Sequence, residues 1–318
     1  MAIFESGIFS EDDLLQIQNV LYTPREEEMV ARRMLRLNTS YAPYAREIGY
    51  DYYQRQGSAK ILAYGASAAD IPFVGEKGGR NTQKVYDIVT GIRWTKAERM
   101  AEMAKRALGK GPSVSLDTTR VDTARRFISE KENALTFVGD ADYGIKGLFD
   151  STFYGTDLGT KENVAVGATG ANDAAKRLWS NKTPAEIIKD IRTAVDTVEE
   201  TGLFVGRVLA MSPAAYNLLR QPYGDQTTMS VLDWINANFD FSQIIKSRVF
   251  LATNNGDTVN YFMVLDNDPE VVELAITQDV NLEDPVYDIV GTMEQAVTES
   301  YGGVIFRHPA GAYIGKGI

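Results

Sequence analysis

Residues 132–150 read ENALTFVGDADYGIKGLFD, with two aspartates one residue apart, Asp140 and Asp142, set between Gly139 and Gly144. Paired carboxylates in a glycine-flanked loop suit a divalent cation, because hard cations take oxygen ligands and glycine permits the turn that gathers them. One reading is therefore a metal-dependent enzyme acting on a sugar or nucleotide through Asp140 and Asp142. A calcium loop of the EF-hand kind needs oxygen-bearing side chains at its first, third and fifth positions and glycine at its sixth. Counted from Asp140, the fifth position is Gly144 and the sixth is Ile145, so the pattern fails. No dinucleotide or phosphate-loop glycine pattern occurs either, since GKGPS and GATGA lack the spacing. The local reading that fits these residues is a helix C-terminus stopped by Gly139 and followed by an Asp/Gly turn.

The other residue types narrow the chemistry further. Cysteine is absent, which excludes disulfides, thiolate ligands and a cysteine nucleophile, and fits assembly in a reducing cytoplasm. The single histidine, His308, lies in RHPAG and reads as a packed or surface residue. No G-x-S-x-G occurs. Asp266 and Asp268 sit in DNDPE, a turn between strands. No catalytic, cofactor-binding or metal-binding residue is assigned, and the expectation is a protein that is not an enzyme and carries no cofactor.

The elements that would position these residues are mixed. An N-terminal stretch with Ser10 as a helix cap before Leu14, Leu15, Ile17 and Leu21 is followed by Arg25, Arg32, Arg33 and Arg36, read as a solvated or salt-bridged face. From Ile48 to about Trp94, tyrosines, β-branched residues and repeated glycines predict extended hairpin strands with too few alternating apolar residues for a core of their own. Thr95 and Glu98 predict a capping box for a helix carrying Met100, Met103, Ala104, Ala107 and Leu108. A second, longer helix runs from a cap at Asp117 to Gly139, with Val121, Ala124, Phe127, Ile128, Leu135 and Val138 on one face. Thr183-Pro184 and Glu186 start another helix, with Ile187, Ile188, Ile191, Val195 and Val198 as its buried stripe. Strands LFVGRVLAM, RVFLAT, VNYFMVL and VVELAIT follow, with NNGD as a hairpin turn between the middle two, and YGGVIFRHPAGAYI is strand-like again. Helices and strands without regular alternation point to an α+β fold.

Composition allows a sizeable core: 318 residues, 44% apolar and 24% charged, with a formal net charge of -10. No stretch has the length of apolar run that spans a bilayer, and the start lacks a secretory signal, so neither export by that route nor insertion is expected. The charge is uneven. Gly91 to Lys131 holds ten Lys/Arg against five Asp/Glu, whereas between Arg248 and Arg307 there are eleven acidic residues and no basic one.

A long basic-faced helix ending in ALTFVGDADYGIKGLFD, an extended glycine-broken hairpin before it and a returning C-terminal strand resemble the major capsid proteins of tailed bacteriophages. Their fold is the HK97-like fold, named after phage Hong Kong 97. In that family a spine helix leads into a loop of the form G-D-x-x-x-G-x-x-G-L, which Gly139, Asp140, Gly144, Gly147 and Leu148 match. The resemblance implies an N-terminal arm over 1–44, an extended E-loop over 45–86, a peripheral domain of 87–170 plus 291–318, and an axial domain over 171–290 containing MSPAAYNLL. It implies a coat protein that self-assembles through pentamers and hexamers into an icosahedral shell around double-stranded DNA, held without sequence specificity. Partners would be separate scaffolding and portal proteins and possible decoration proteins, with assembly in the bacterial cytoplasm and residence in the virion. Tyr50, Tyr52, Tyr53, Ile61, Leu62, Ile71 and Phe73 are then the expected inter-subunit residues of the E-loop. Arg120, Arg125, Arg126 and Lys131 are the expected DNA-facing cations, and Asp257 to Glu299 is expected to gather negative charge around the capsomer axis. Lys60 and Lys77 read as solvated. The alternative on the same fold is an encapsulin-like nanocompartment that encloses enzymes.

Overall fold

The computed structural model describes residues 28–61, 71–107, 116–155, 158–224 and 229–318. The expected helix after Ser10, the residue Leu62 and the stop at Gly109 lie outside the described residues. Among the described residues the chain forms two compact units, one of 89–127 with 282–297, the other of 28–88, 128–281 and 298–318. No described helix is long and apolar enough to cross a membrane.

The larger unit is organised by a sheet in the order Thr160–Asn163, Ala312–Lys316, Tyr261–Leu265, Val208–Met211, Gln243–Lys246. VLAM and YFMVL are apolar at every position and buried throughout, as expected for strands covered on both faces. Alternation divides them between two cores. Val208, Ala210, Tyr261, Met263 and Leu265 join Leu148, Phe149 and Phe250 on one side. Leu209, Met211, Phe262 and Val264 join the Pro184–Glu199 helix on the other. That helix begins at the expected capping box, with Thr183 Oγ1 accepting from the Glu186 N–H and the Glu186 carboxylate accepting from the Thr183 N–H. Its whole anticipated stripe is buried.

A second five-stranded sheet takes Arg36–Asn38, Val272–Leu282, Met293–Phe306 and Val286–Tyr287 in that order, with Tyr86–Trp94 also paired to Met293–Phe306. Arg36–Asn38 runs parallel to 273–275, and Val30, Ala31, Met34 and Leu35 just before it are buried in the main core. Residues 30–38, expected to belong to a free arm, are thus built into the body.

Three further expectations change. RVFLAT does not form a hairpin with VNYFMVL: Ser247 Oγ accepts from the Val249 N–H and turns Arg248–Phe250 into a 3-10 turn. Tyr261–Leu265 pairs instead with Val208–Met211 and Ala312–Lys316. The C-terminal tail is two strands, Met293–Phe306 and Ala312–Lys316, broken by Pro309–Gly311. The long helix runs Leu116–Phe137 over 22 residues and buries Ala124, Ile128 and Leu135, but Phe127 and Val138 of its anticipated face are exposed. A buried line along the helix follows near-fourfold steps, which 124, 128 and 135 keep and 127 leaves.

Candidate functional site

The loop after the long helix is built by backbone crowding. Gly139 has φ +78° and Gly144 φ +69°, and Gly139–Asp140 pairs antiparallel with Ile145–Lys146. A Cβ on Gly147 would stand 2.5 Å from the Phe137 carbonyl oxygen, a distance real Cβ atoms essentially never show. The Leu148 and Phe149 N–H groups then donate to the Thr136 and Phe137 carbonyls at 2.8 and 2.9 Å, and Leu148 enters the core. Asp140 serves this turn: one carboxylate oxygen accepts from the Asp142 N–H at 3.1 Å, and the other lies 3.6 Å from Lys131 Nζ. Among the described residues no group of three or more Asp, Glu or His side chains is placed to hold a metal ion.

Arg120 donates to the Arg93 carbonyl at 2.7 Å and to Glu98 at 3.0 Å, where it and the Thr95 N–H hold the Glu98 carboxyl down at about 2. Lys131 is committed to Asp140. Arg125 is exposed and Arg126 half-buried on the same helix.

Glu47–Gln56 and Gly75–Lys84 form a hairpin with ten consecutive antiparallel residue pairs. Its root is fixed. Ile48 is buried with Ala275 and Ile305, the Val85 N–H donates to the Arg46 carbonyl, and the Arg307 guanidinium lies over the Tyr50 ring. A Cβ on Gly79 would fall 2.6 Å from the Tyr52 ring, so that tyrosine covers the glycine strand. Beyond the root the hairpin has no interior: Tyr52, Tyr53 and Ile71 are exposed, Phe73 is 87% exposed and Ile61 98%.

Two arrangements carried no legible local signal. In the smaller unit Val286, Tyr287, Ile289 and Val290 are exposed together, as are Met100 and Met103 of the Lys96–Ala107 helix. A short apolar run among acids was the only available hint. In the larger unit, Arg32 meets Glu132, Asp279 and Glu299 within 3.0 Å, a cluster assembled from residues 100 and more positions apart. The acids expected to repel one another around an axis are in part internal: Asp266, Glu273 and Glu299 are buried and paired with Arg207, Arg307 and Arg32.

The chain thus exposes apolar side chains on its hairpin and in its smaller unit and pairs buried acids with its own arginines. Its relatives share the fold. The capsid of Myoviridae phage XM1 is similar with a TM-score of 0.78 at 13% identity, over 99% of this chain and 100% of that one. Mycobacterium phage Ogopogo follows at 0.62 and 11%, over 98% and 99%. A virus-like particle from Pyrococcus furiosus is similar at 0.52 and 13%, over 89% and 90%. No curated protein matches the chain. Residues 57–318 match the family model described as major capsid protein, and the chain belongs to that family.

Proposed function

We propose that this chain is the coat protein of a tailed-phage virion, a structural protein whose copies tile into an icosahedral shell of pentamers and hexamers around double-stranded DNA. The observation that carries the reading is the hairpin of 47–56 with 75–84, which is fully paired along its length yet exposes Tyr53, and whose connecting segment exposes Ile61 and Phe73. An isolated two-stranded hairpin is marginal in water, and a neighbouring copy supplies the surface it lacks. Val286, Tyr287, Ile289 and Val290 offer a second apolar contact. The divisions at 1–44, 45–86, 87–170 with 291–318, and 171–290 serve as arm, E-loop, peripheral and axial parts, the arm being anchored on the larger unit through residues 30–38. Arg120, Arg125, Arg126 and Lys131 face the packaged DNA and lessen repulsion from a chain of net charge -10, so that DNA is confined without tight binding. Scaffolding and portal proteins are separate partners, and assembly takes place in the host cytoplasm.

Electron microscopy of the purified full-length chain tests the reading. Closed shells are expected; a monodisperse monomer at high concentration rejects it. Particles filled with a dedicated enzyme in place of DNA would point to the nanocompartment alternative.

A further inference from the structure

Arg32 stands on the short Ala31–Met34 helix, whose first N–H groups are held by the Asn133 side chain: Oδ1 accepts from Val30 at 3.2 Å and Ala31 at 3.1 Å. The guanidinium donates through Nε to both Glu132 oxygens at 2.9 and 3.0 Å. Through Nη2 it donates to Asp279 at 2.8 Å and Glu299 at 2.7 Å. Glu132, on the long helix, is 2% exposed, and Glu299, on the Met293–Phe306 strand, is 0% exposed. One cation therefore serves three carboxylates, two of them out of water. The second Glu299 oxygen is buried with no hydrogen-bond partner among the described residues, a place where an ionised carboxylate is poorly tolerated. A further neighbour is Tyr301, whose hydroxyl lies 3.1 Å from Thr136 Oγ1 and whose phenol burial pushes up, so that it stays neutral.

We propose that Arg32, Glu132, Asp279 and Glu299 form a proton-dependent clasp that holds residues 30–38 on the body of the subunit and slackens as the pH rises. With all three carboxylates ionised the cluster would carry two uncompensated negative charges; a proton on Glu299 removes one and lets that carboxyl donate. Burial, reinforced by the Glu132 charge, pushes Glu299 up to about 8. When the segment detaches, water reaches Glu299 and it returns to the ordinary carboxylate range. A carboxyl raised in the closed state strengthens closure fully below that ordinary range. Its contribution falls as pH rises and levels off above about 8. Asp279 acts in the opposite sense: Arg32 holds it low, so its share is lost only in acid, below this window. All four groups belong to one chain, so the clasp is testable whether or not shells form.

Hydrogen exchange read by mass spectrometry on the purified full-length chain at pH 5.5, 6.5 and 7.5 tests it. After correction for intrinsic exchange, protection of residues 31–38 should fall up to about tenfold per pH unit, the limit for release of one proton. Glu299→Gln, a neutral mimic, should keep the protection at every pH. Glu132→Gln, which leaves Arg32 free to neutralise an ionised Glu299, should also abolish the slope and serves if the first variant does not fold. Flat protection in the parent chain, or a slope that survives in the variants, overturns the clasp. So does a fall shared equally by the Pro184–Glu199 helix, which would mean general unfolding.

Discussion

Single residues decide the geometry where backbones nearly touch or charges are buried. Gly147 and Gly144 make a useful contrast, since a Cβ on the first meets backbone at 2.5 Å whereas the second has open space and only a positive φ. Gly147→Ala should destabilise the subunit by about 2–3 kcal/mol, as overpacking against fixed atoms does. Gly144→Ala should cost about 1 kcal/mol, the strain of the left-handed region; denaturant titration of the two variants would rank them. Lys182 and Asp190 form a buried pair to which Trp179 Nε1 also donates at 2.9 Å, and burial pushes Asp190 up in spite of the lysine. Lys182→Met strands that carboxylate and should cost about 3–5 kcal/mol at neutral pH. Because a stranded carboxyl takes up a proton more readily, the deficit should shrink as the pH falls from neutral toward the ordinary carboxylate range, a trend thermal melts at several pH values would read.

At the scale of elements, exposure separates what stabilises a subunit from what joins subunits. Phe73→Ser in the hairpin and Ile289→Ser in the smaller unit replace exposed side chains, so subunit stability should change by no more than about 0.5 kcal/mol. Shell yield, followed by sedimentation, should drop at least tenfold for the pair; loss of folding instead of loss of assembly would contradict this division. The helices most legible in the sequence were those with chemical punctuation. Thr95 with Glu98 and Thr183 with Glu186 both cap as their spacing predicts. The stop at Gly139 and the turn at Asp140 were legible for the same reason, being matters of local backbone chemistry. RVFLAT suits a strand by its unbroken apolar run from Val249 to Ala252, and only Ser247 and the pairing of Tyr261–Leu265 elsewhere decide otherwise. Arg32 and Glu299 are 267 residues apart, so no window of sequence contains their meeting.

For the whole molecule, charge is the property most open to test. Arg125→Glu with Arg126→Glu should reduce nuclease-protected DNA in purified particles severalfold while leaving empty shells of normal size, with the loss greatest at low ionic strength, where screening is weakest. Unchanged DNA content would remove these two residues from the interior surface. The acids of the late chain are not all left to repel one another: Glu273 pairs with Arg307, Asp266 and Asp268 share Arg207, and Glu299 shares Arg32 with Glu132 and Asp279. The rooted hairpin has a mechanical corollary. Ten paired residues at about 3.4 Å each make a lever roughly 30 Å long, so a tilt of about 10° at Ile48 and Val85 sweeps the free end by about 5 Å, close to one interstrand spacing. A bend just beyond that fixed root would let one polypeptide meet neighbours at several angles of curvature while Ile48 stays in its core.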